Sequence, residues 1–428
     1  IDIRGTGGAG TGGLNTGVLL SEGTSATVAN GDLTVAGTGG TGGSATSTQN
    51  RGAVLEKATL RSTGAGDITI DGTGNGLGHK HLGVAVGAST IQATGTGSID
   101  ISGTGSTTGS TMNHGLTVSS STIQTAGGSI DLTGTGGGTQ RKNDGIEIDG
   151  GSSIRVTAGA GSLTIAGTAG NGDSDNVGTA INAATLSTVN GDLGVSGTGN
   201  GTKDRNRGVF GTKVTATTTG SGSLTIAGTG STASTGKSNE GITLVSSSTR
   251  TTGTGNLTIT GHGGRGNGGN HGINFNATTA TSANGTTSLT GIGHANATGT
   301  ANVGIAIQKS SRVEGATLNM AGTGGGGASK NYGFFMVGGT ARATGGSLTL
   351  IGQARSNTTG TANLGVWIEN KVTLSATGAF GITGTGGGGT AYNHGVFMNK
   401  GITAAGASVS GTAGSGSKSK ATIGNYFA

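Results

Sequence analysis

Two aspartates are the first candidates for chemistry, because neighbouring carboxylates can act together as general acid and base. Asp100 and Asp131 stand at matching places in two successive repeats, each between two apolar residues. If both stretches are strands of adjacent coils, the carboxylates face outward about 4.8 Å apart. Polysaccharide lyases and hydrolases of this build cluster acidic and basic residues on one face. Here the acids are spread thinly, so solvated outward side chains are the favoured interpretation, and we predict no catalytic residues.

A second candidate is a metal site. Asn171, Asp173 and Asp175 have the alternate spacing of a calcium loop, but Asn176 and Asn182 stand where such a loop needs its glycine and its glutamate. The chain has no cysteine, which excludes disulfides and thiolate metal sites. Three of its histidines directly follow an asparagine at the same place in the repeat, but their repeats are well separated along the chain: His114, His271 and His394. We therefore predict neither a metal nor a cofactor.

Basic residues suggest a binding surface, since the formal net charge is +6. Many of them fall in the most variable stretch of the repeat, which would form one irregular edge of the fold. Such an edge could bind acidic polysaccharide. The alternative is that its charges serve solubility and block lateral association. The possible glycan-binding residues on this edge are Arg141, Lys142, Lys203, Arg205 and Arg207. Nucleic acid is not an expected partner, because no aromatic residue for base stacking occurs in residues 1–209.

These candidates are positioned by an internal repeat. A Gly-Thr landmark recurs from Gly5 to Gly411 at steps of 27 to 35 residues, mostly 30 to 33. A second landmark, Asn-x-Gly, keeps the same period, with His81 in the asparagine place of one repeat. Its asparagines are Asn15, Asn50, Asn113, Asn143, Asn176, Asn206, Asn239, Asn270, Asn302, Asn331, Asn363 and Asn393. Two landmarks with one period indicate coils of about 31 residues.

Within each repeat the apolar residues alternate with polar ones, which predicts strands. Leu163-Thr164-Ile165 is typical of the first strand, Ile146-Glu147-Ile148 of the second and Thr122-Ile123-Gln124 of the third. Three short strands per coil predict an all-β right-handed parallel β-helix of about 14 coils, in one domain over residues 1–428. At about 4.8 Å per coil the rod would be on the order of 65 Å long.

The corners explain the two landmarks. Glycine supplies the positive φ of sharp corners, and the asparagine tolerates left-handed geometry while bonding its neighbours' backbone. Stacked over many coils, these asparagines would form an amide ladder. The chain has 99 glycines and no proline, as expected where strands paired on both sides need every N–H. No run of 18 apolar residues occurs, so we expect no membrane span.

Aromatic residues are concentrated towards the carboxy-terminal end, where nine of the eleven lie between Tyr332 and Phe427. The alternation places Phe334, Met336, Phe397 and Met398 inward on second strands, which predicts a larger core there. The alternative is a cap or docking surface formed by some of these aromatic residues.

The tandem repeats resemble those of bacterial large exoproteins. The stretch Gly128-Ser129-Ile130-Asp131-Leu132-Thr133-Gly134-Thr135 followed by Asn143-Asp144-Gly145-Ile146 is similar to repeats of filamentous-haemagglutinin-like and autotransporter-adhesin passengers, and the resemblance covers essentially the full length. The resemblance implies a parallel β-helix, export, display at the cell surface, and adhesion or matrix building.

Three functions remain open at this point. The first is an extracellular structural fibre or surface-layer element, non-catalytic and self-associating end to end. The second is an adhesin that binds host or matrix glycans through the basic edge, and the third is a polysaccharide-active enzyme. Ile1 already lies inside a repeat, which suggests a processed chain or an excerpt of a longer one. Uncapped strands at residues 1–3 and 425–427 are the reason to expect fibres.

Overall fold

The structure, a computed structural model, describes residues 1–10, 12–42, 48–369, 371–399 and 407–416. Every regular element in that part of the chain is a β-strand. The fold is an all-β parallel β-helix with about 13 turns of about 31 residues, which confirms the predicted class. The chain divides into two compact units, called here the first unit (Ile1–Thr202 with Val209–Gly222) and the second unit (Lys203–Gly208 with Ser223–Ala428). A single domain over residues 1–428 stays a prediction.

In the first unit each coil contributes one strand to each of three parallel sheets. The first sheet contains Asp2–Thr6, Leu33–Thr38, Ile68–Thr73, Ile99–Thr104, Ile130–Thr135, Leu163–Thr168 and Leu193–Thr198. The second sheet contains Val18–Leu20, Ala53–Glu56, Val84–Gly87, Leu116–Ser119, Ile146–Asp149, Thr179–Asn182 and Val209–Thr212. The third sheet contains Ser25–Val28, Thr59–Ser62, Thr90–Ala93, Thr122–Thr125, Ser153–Val156, Thr185–Thr188 and Thr215–Thr218.

The second unit repeats this plan. Its first sheet contains Leu224–Thr229, Leu257–His262, Thr286–Ile292, Thr317–Thr323, Leu348–Gln353, Phe380–Thr385 and Ala407–Thr412. Its second sheet contains Ile242–Val245, Ile273–Asn276, Ile305–Gln308, Phe334–Val337, Val366–Ile368 and Val396–Met398. Its third sheet contains Ser248–Thr251, Thr279–Ser282, Arg312–Gly315, Gly339–Ala343 and Val372–Ala376.

The core consists of stacked columns of apolar side chains, because the period of two sends alternate residues inward. Leu163 and Ile165 are fully buried, and in the ladder they follow Ile130 and Leu132 of the previous coil. Each coil thus buries its apolar residues against like residues of its neighbours, as expected for a repeat fold.

The aromatic residues of the second sheet divide between the two faces. Phe334, Met336 and Met398 are buried, which confirms their inward placement. The inward placement of Phe397 is wrong, because this residue is the middle of the strand Val396–Met398, whose first and third residues are buried. Phe397 therefore faces outward, as does the middle residue Trp367 of the preceding strand.

The landmark glycines are required by close backbone approach rather than by positive φ. A Cβ on Gly103 would overlap the carbonyl oxygen of Gly115, and a Cβ on Gly115 would overlap the amide nitrogen of Thr135. The second unit has the same arrangement at Gly322 and Gly333. The Gly-Thr and Asn-x-Gly landmarks of one coil therefore touch each other, which explains why the two keep a common period.

Positive φ falls mostly on other residues at these corners. The residue before the ladder asparagine takes it, as at Lys142 (φ 56°), Arg205 (φ 55°) and Lys330 (φ 59°). At the corner between the second and third sheets it falls on residues such as Lys57 (φ 52°) and Lys309 (φ 55°). The expectation that the asparagine itself is left-handed is wrong. The residue before the asparagine takes the left-handed conformation at the corner, and the asparagine side chain accepts an N–H from the preceding coil.

Candidate functional site

The corner asparagines of the first unit form a continuous ladder. The backbone N–H of each ladder residue donates to the side chain of the next, at 3.0 to 3.1 Å, through Asn15, Asn50, His81, Asn113, Asn143 and Asn176. From Asn50 onward these side chains are fully buried. Buried amides of this kind are stabilising only when both donor and acceptor are paired.

The second unit has the same ladder without a substitution. The N–H to Oδ1 distances are 2.8 to 3.2 Å through Asn206, Asn239, Asn270, Asn302, Asn331, Asn363 and Asn393. Several side-chain amides bond along the same column, as from Asn302 Nδ2 to Asn331 Oδ1 at 3.1 Å. The ladder thus satisfies backbone N–H groups that no strand partner reaches.

A second ladder, which the sequence analysis missed, runs along the corner between the second and third sheets. In the first unit the N–H of Ala58 donates to Ser89 Oγ at 3.0 Å, and the N–H of Ser89 donates to Ser121 Oγ at 3.1 Å. The N–H of Ser121 continues the ladder to Ser152 Oγ at 3.3 Å. The signal was present as a recurring serine or threonine before the third strand, but serine is too common in this chain to stand out.

The five residues of the predicted basic edge do not share one environment. Arg141 and Lys142 are exposed in the first unit, and Lys203 and Arg205 are exposed in the second unit. Arg207 instead lies half-buried in the second unit, with its Nε 2.6 Å from the carboxylate of the buried Glu240. Four of the five residues are therefore accessible to an anionic ligand, whereas Arg207 serves an internal ion pair.

The outer face of the second sheet carries the most concentrated chemistry. It is formed by the residue between the ladder asparagine and its glycine, together with the second residue of the strand that follows. In the first unit these positions bring together His114, Asp144 and Glu147. His114 Nδ1 lies 3.5 Å from Asp144 Oδ2, and His114 Nε2 lies 3.5 Å from Glu147 Oε2.

The hydrogen bonds define the charge state of this cluster. His114 Nδ1 accepts the backbone N–H of Asp144 at 3.1 Å, and Asp144 Oδ1 accepts the N–H of Val177 at 2.7 Å. Burial lowers the pKa of His114 to about 4, and nearby Lys142 adds to this effect. Burial raises the pKa of Asp144 well above its usual value and raises the pKa of Glu147. His114 is therefore neutral at neutral pH, and its contact with Asp144 is not an ion pair.

In part of the second unit the corresponding positions are aromatic, although two of its other coils hold Glu240 and His271 between the ladder asparagine and its glycine. Tyr332, Phe335, Trp367, His394 and Phe397 occupy them in three successive coils, and we call this set the aromatic strip. Ring centroids are 4.8 Å apart for Tyr332 and Trp367, 5.5 Å for Phe335 and Trp367, and 6.0 Å for Trp367 and Phe397. All three pairs are edge-to-face, the geometry that aromatic quadrupoles favour. The His394 ring stacks on Phe397 at 6.2 Å.

The remaining candidates for chemistry are weaker. Asp100 and Asp131 are paired in register on adjacent strands of the first sheet, as the repeat predicted. Burial, reinforced by Asp131 and two further aspartates, raises the pKa of Asp100. Among the residues that the structure describes, no group of three histidine, cysteine, aspartate or glutamate side chains could hold a metal ion.

Comparison with known proteins gives no basis for a function beyond the fold and the surfaces described above. No protein-family model matches this chain. No curated protein and no solved structure matches it either. Within the described ranges no helix is long and apolar enough to cross a membrane.

Proposed function

We propose that this chain is a non-catalytic, extracellular structural β-solenoid that associates with further copies of itself. The observation that carries this proposal is the buried asparagine ladder, which the structure shows within each of the two units. A coil built this way presents the same donors, acceptors and apolar columns as its neighbours. One copy can therefore continue the pairing pattern of another, and a head-to-tail contact of this kind generates filaments.

The resemblance to exoprotein repeats supports the extracellular location and display at a cell surface. A chain without cysteine relies on its stacked coils rather than on disulfides for stability. The uncapped carboxy-terminal segment predicted at residues 425–427 lies outside the described residues. The proposal therefore depends on the repeated coils rather than on the ends.

Self-association is tested with the purified chain. Sedimentation velocity over a range of concentrations, with negative-stain electron microscopy of the same samples, should show growth into elongated assemblies. A monodisperse monomer at all concentrations would overturn the self-association. The enzymatic alternative is tested in the same material by polysaccharide turnover, with Asp100→Asn as the inactivated variant.

A second candidate function, glycan adhesion through the basic edge, is favoured by the exposure of Arg141 and Lys142. An acidic polysaccharide such as alginate should bind, and its affinity should fall steeply with salt, because exposed charges are screened. The double variant Arg141→Ala/Lys142→Ala should bind more weakly. The control Lys213→Ala removes an exposed base from another corner of the same unit and should bind normally. Equal loss in both variants would contradict a specific edge.

A further inference from the structure

We infer that the aromatic strip is a binding platform for a polysaccharide chain, because partly exposed aromatic rings in successive coils lie beside the polar side chains of Glu369 and Asn399. This inference goes beyond the structural role proposed above and does not depend on self-association. It also concerns a different surface from the basic edge.

The strip is a regular feature of the sheet rather than a chance cluster. Phe335 pairs with Trp367, and Trp367 pairs with Phe397, in the register of adjacent parallel strands. One ring is therefore offered per coil, at a rise of about 4.8 Å. All three rings are only partly buried, whereas the inward Phe334 of the same sheet is fully buried. The three rings form one contiguous apolar patch, and contiguous apolar patches are a feature of interaction sites.

Polar side chains accompany two of the three rings. Residues two positions apart on a strand share a face, so Glu369 lies beside Trp367 and Asn399 lies beside Phe397. Beside Phe335 the same position is the apolar Val337, and in the coil before, it is Gln308, whose Nε2 donates to Asn274 at 3.0 Å. Sugar rings have an apolar face of C–H groups and a rim of hydroxyls. Rings that accept the apolar face, next to amides and a carboxylate that pair with hydroxyls, match that chemistry.

Two polar atoms in the strip have no hydrogen-bond partner among the described residues, namely the Tyr332 hydroxyl and the indole N–H of Trp367. Tyr332 is 4% exposed, and buried polar groups of folded proteins are nearly always paired. Both atoms are buried, so a polymer lying on the surface does not reach them, and the inference depends on the exposed parts of the rings.

The size of the strip favours a sugar chain over a second copy of this protein. Aromatic side chains bury about 150–250 Å² each when fully covered, and these rings are already partly covered. The strip therefore offers at most a few hundred Å², less than the roughly 800 Å² per partner of a stable protein interface. A linear polymer that runs along the coils can use such a narrow row fully.

The chain contains its own reporter for this site, since Trp367 is its only tryptophan. We would titrate the purified protein with hydroxyethylcellulose, xylan, laminarin and dextran while following the emission of Trp367, and measure affinity by electrophoresis in polymer-containing gels. We expect at least one of these polymers to bind saturably. Affinity should persist at about 1 M salt, where exposed charges are screened, because ring stacking rather than charge holds the sugar.

Variants decide whether the strip is responsible. Phe335→Ala and Phe397→Ala should each weaken binding about tenfold, the equivalent of about 1.4 kcal/mol. The matched control is Phe210→Ala, which removes a partly buried ring from the same strand position in the first unit. This control should bind normally. Circular dichroism and thermal melts of each variant separate a loss of binding from a loss of fold.

Three results would overturn the inference: no binding of any polymer in the panel, binding that is lost at high salt, or equal affinity of the Phe335→Ala and parent proteins. If the strip variants instead abolish self-association while the parent binds no polymer, a second copy occupies the strip. Because self-association is measured separately by sedimentation, either proposal can fail without the other.

Discussion

The outer face of the second sheet has one backbone geometry but two kinds of chemistry. In the first unit its positions hold His114, Asp144 and Glu147, which are titratable groups with pKa values shifted by burial. In three successive coils of the second unit the equivalent positions include rings such as Tyr332 and Trp367 in edge-to-face contact.

The inner structure beneath these two regions is the same. Asn143 and Asn331 are both fully buried ladder residues, and both accept an N–H from the preceding coil, at 3.0 and 2.9 Å. The comparison teaches that the ladder and the apolar columns define the coil, while the outward positions are free to take different side chains. The chemical differences between coils therefore lie in the outward rows and not in the fold.

The largest expected effect comes from breaking the contact between the landmarks in both regions. Gly115→Ala and Gly333→Ala each place a Cβ inside a neighbouring backbone, where no side chain can move aside. Overpacking against fixed backbone should cost about 3 kcal/mol or more in each case. Thermal and urea unfolding midpoints measure the effect.

Two glycines provide matched controls for these variants. A Cβ added at Gly194 in the first unit, or at Gly381 in the second unit, meets nothing within 4 Å. Gly194→Ala and Gly381→Ala should leave the midpoints unchanged or raise them slightly, because alanine restricts the unfolded chain. If all four variants behaved alike, close approach would not be the reason for the landmark glycines.

The next effect tests whether the ladder is equally important in both regions. Asn143→Ala removes the acceptor of two bonds from Asn113, and Asn331→Ala removes the acceptor of two bonds from Asn302. Unpaired buried donors cost about 1–3 kcal/mol each, so each variant should lose about 3 kcal/mol. The exposed Asn296 is the control, and Asn296→Ala should unfold like the parent. Unequal losses for Asn143→Ala and Asn331→Ala would show that the outer face contributes to the ladder.

The sequence predicted the inner structure much better than the outer surface. The period of the Gly-Thr and Asn-x-Gly landmarks was sufficient for the coil and for its three strands, because stacking requires like residues in register. Phe397 was misplaced because all three residues of the strand Val396–Met398 are apolar, so alternation does not reveal which of them face inward. The cluster of His114, Asp144 and Glu147 was missed because its members come from two coils. The sequence does not show which outward side chains of neighbouring coils come into contact.

A smaller effect distinguishes the titratable region from the aromatic one. The folded-state pKa of His114 is lowered to about 4, below its unfolded value of about 6.5. The stability that neutral His114 contributes is therefore present above about pH 6.5 and is lost as the pH falls towards 4. The raised pKa values of Asp144 and Glu147 act in the opposite direction. The informative quantity is therefore the difference in the free energy of unfolding between the parent and His114→Gln at each pH.

Between about pH 7 and pH 4.5 the parent should lose about 2 kcal/mol more than His114→Gln, in which this titration is absent. Urea unfolding at each pH measures the difference. His262 is exposed in the second unit, and His262→Gln is the control for the replacement of a histidine by glutamine. Parallel curves for the parent and His114→Gln would contradict a buried neutral imidazole at this position.

The smallest effect concerns a difference between the two ladders. Within the described residues the second unit uses asparagine throughout, whereas the first unit has His81, whose Nδ1 accepts the N–H of Asn50 at 3.1 Å. Because Nδ1 is the acceptor, the proton of the neutral ring sits on Nε2, which is buried without a partner. Burial also lowers the pKa of His81 to about 4, so acid weakens the ladder at this coil.

In His81→Asn the new amide can donate to Asn113 as the other ladder amides do. We expect this variant to be more stable by about 1 kcal/mol and to lose less stability in acid. A less stable variant would mean that the packing of the larger ring outweighs the unpaired N–H.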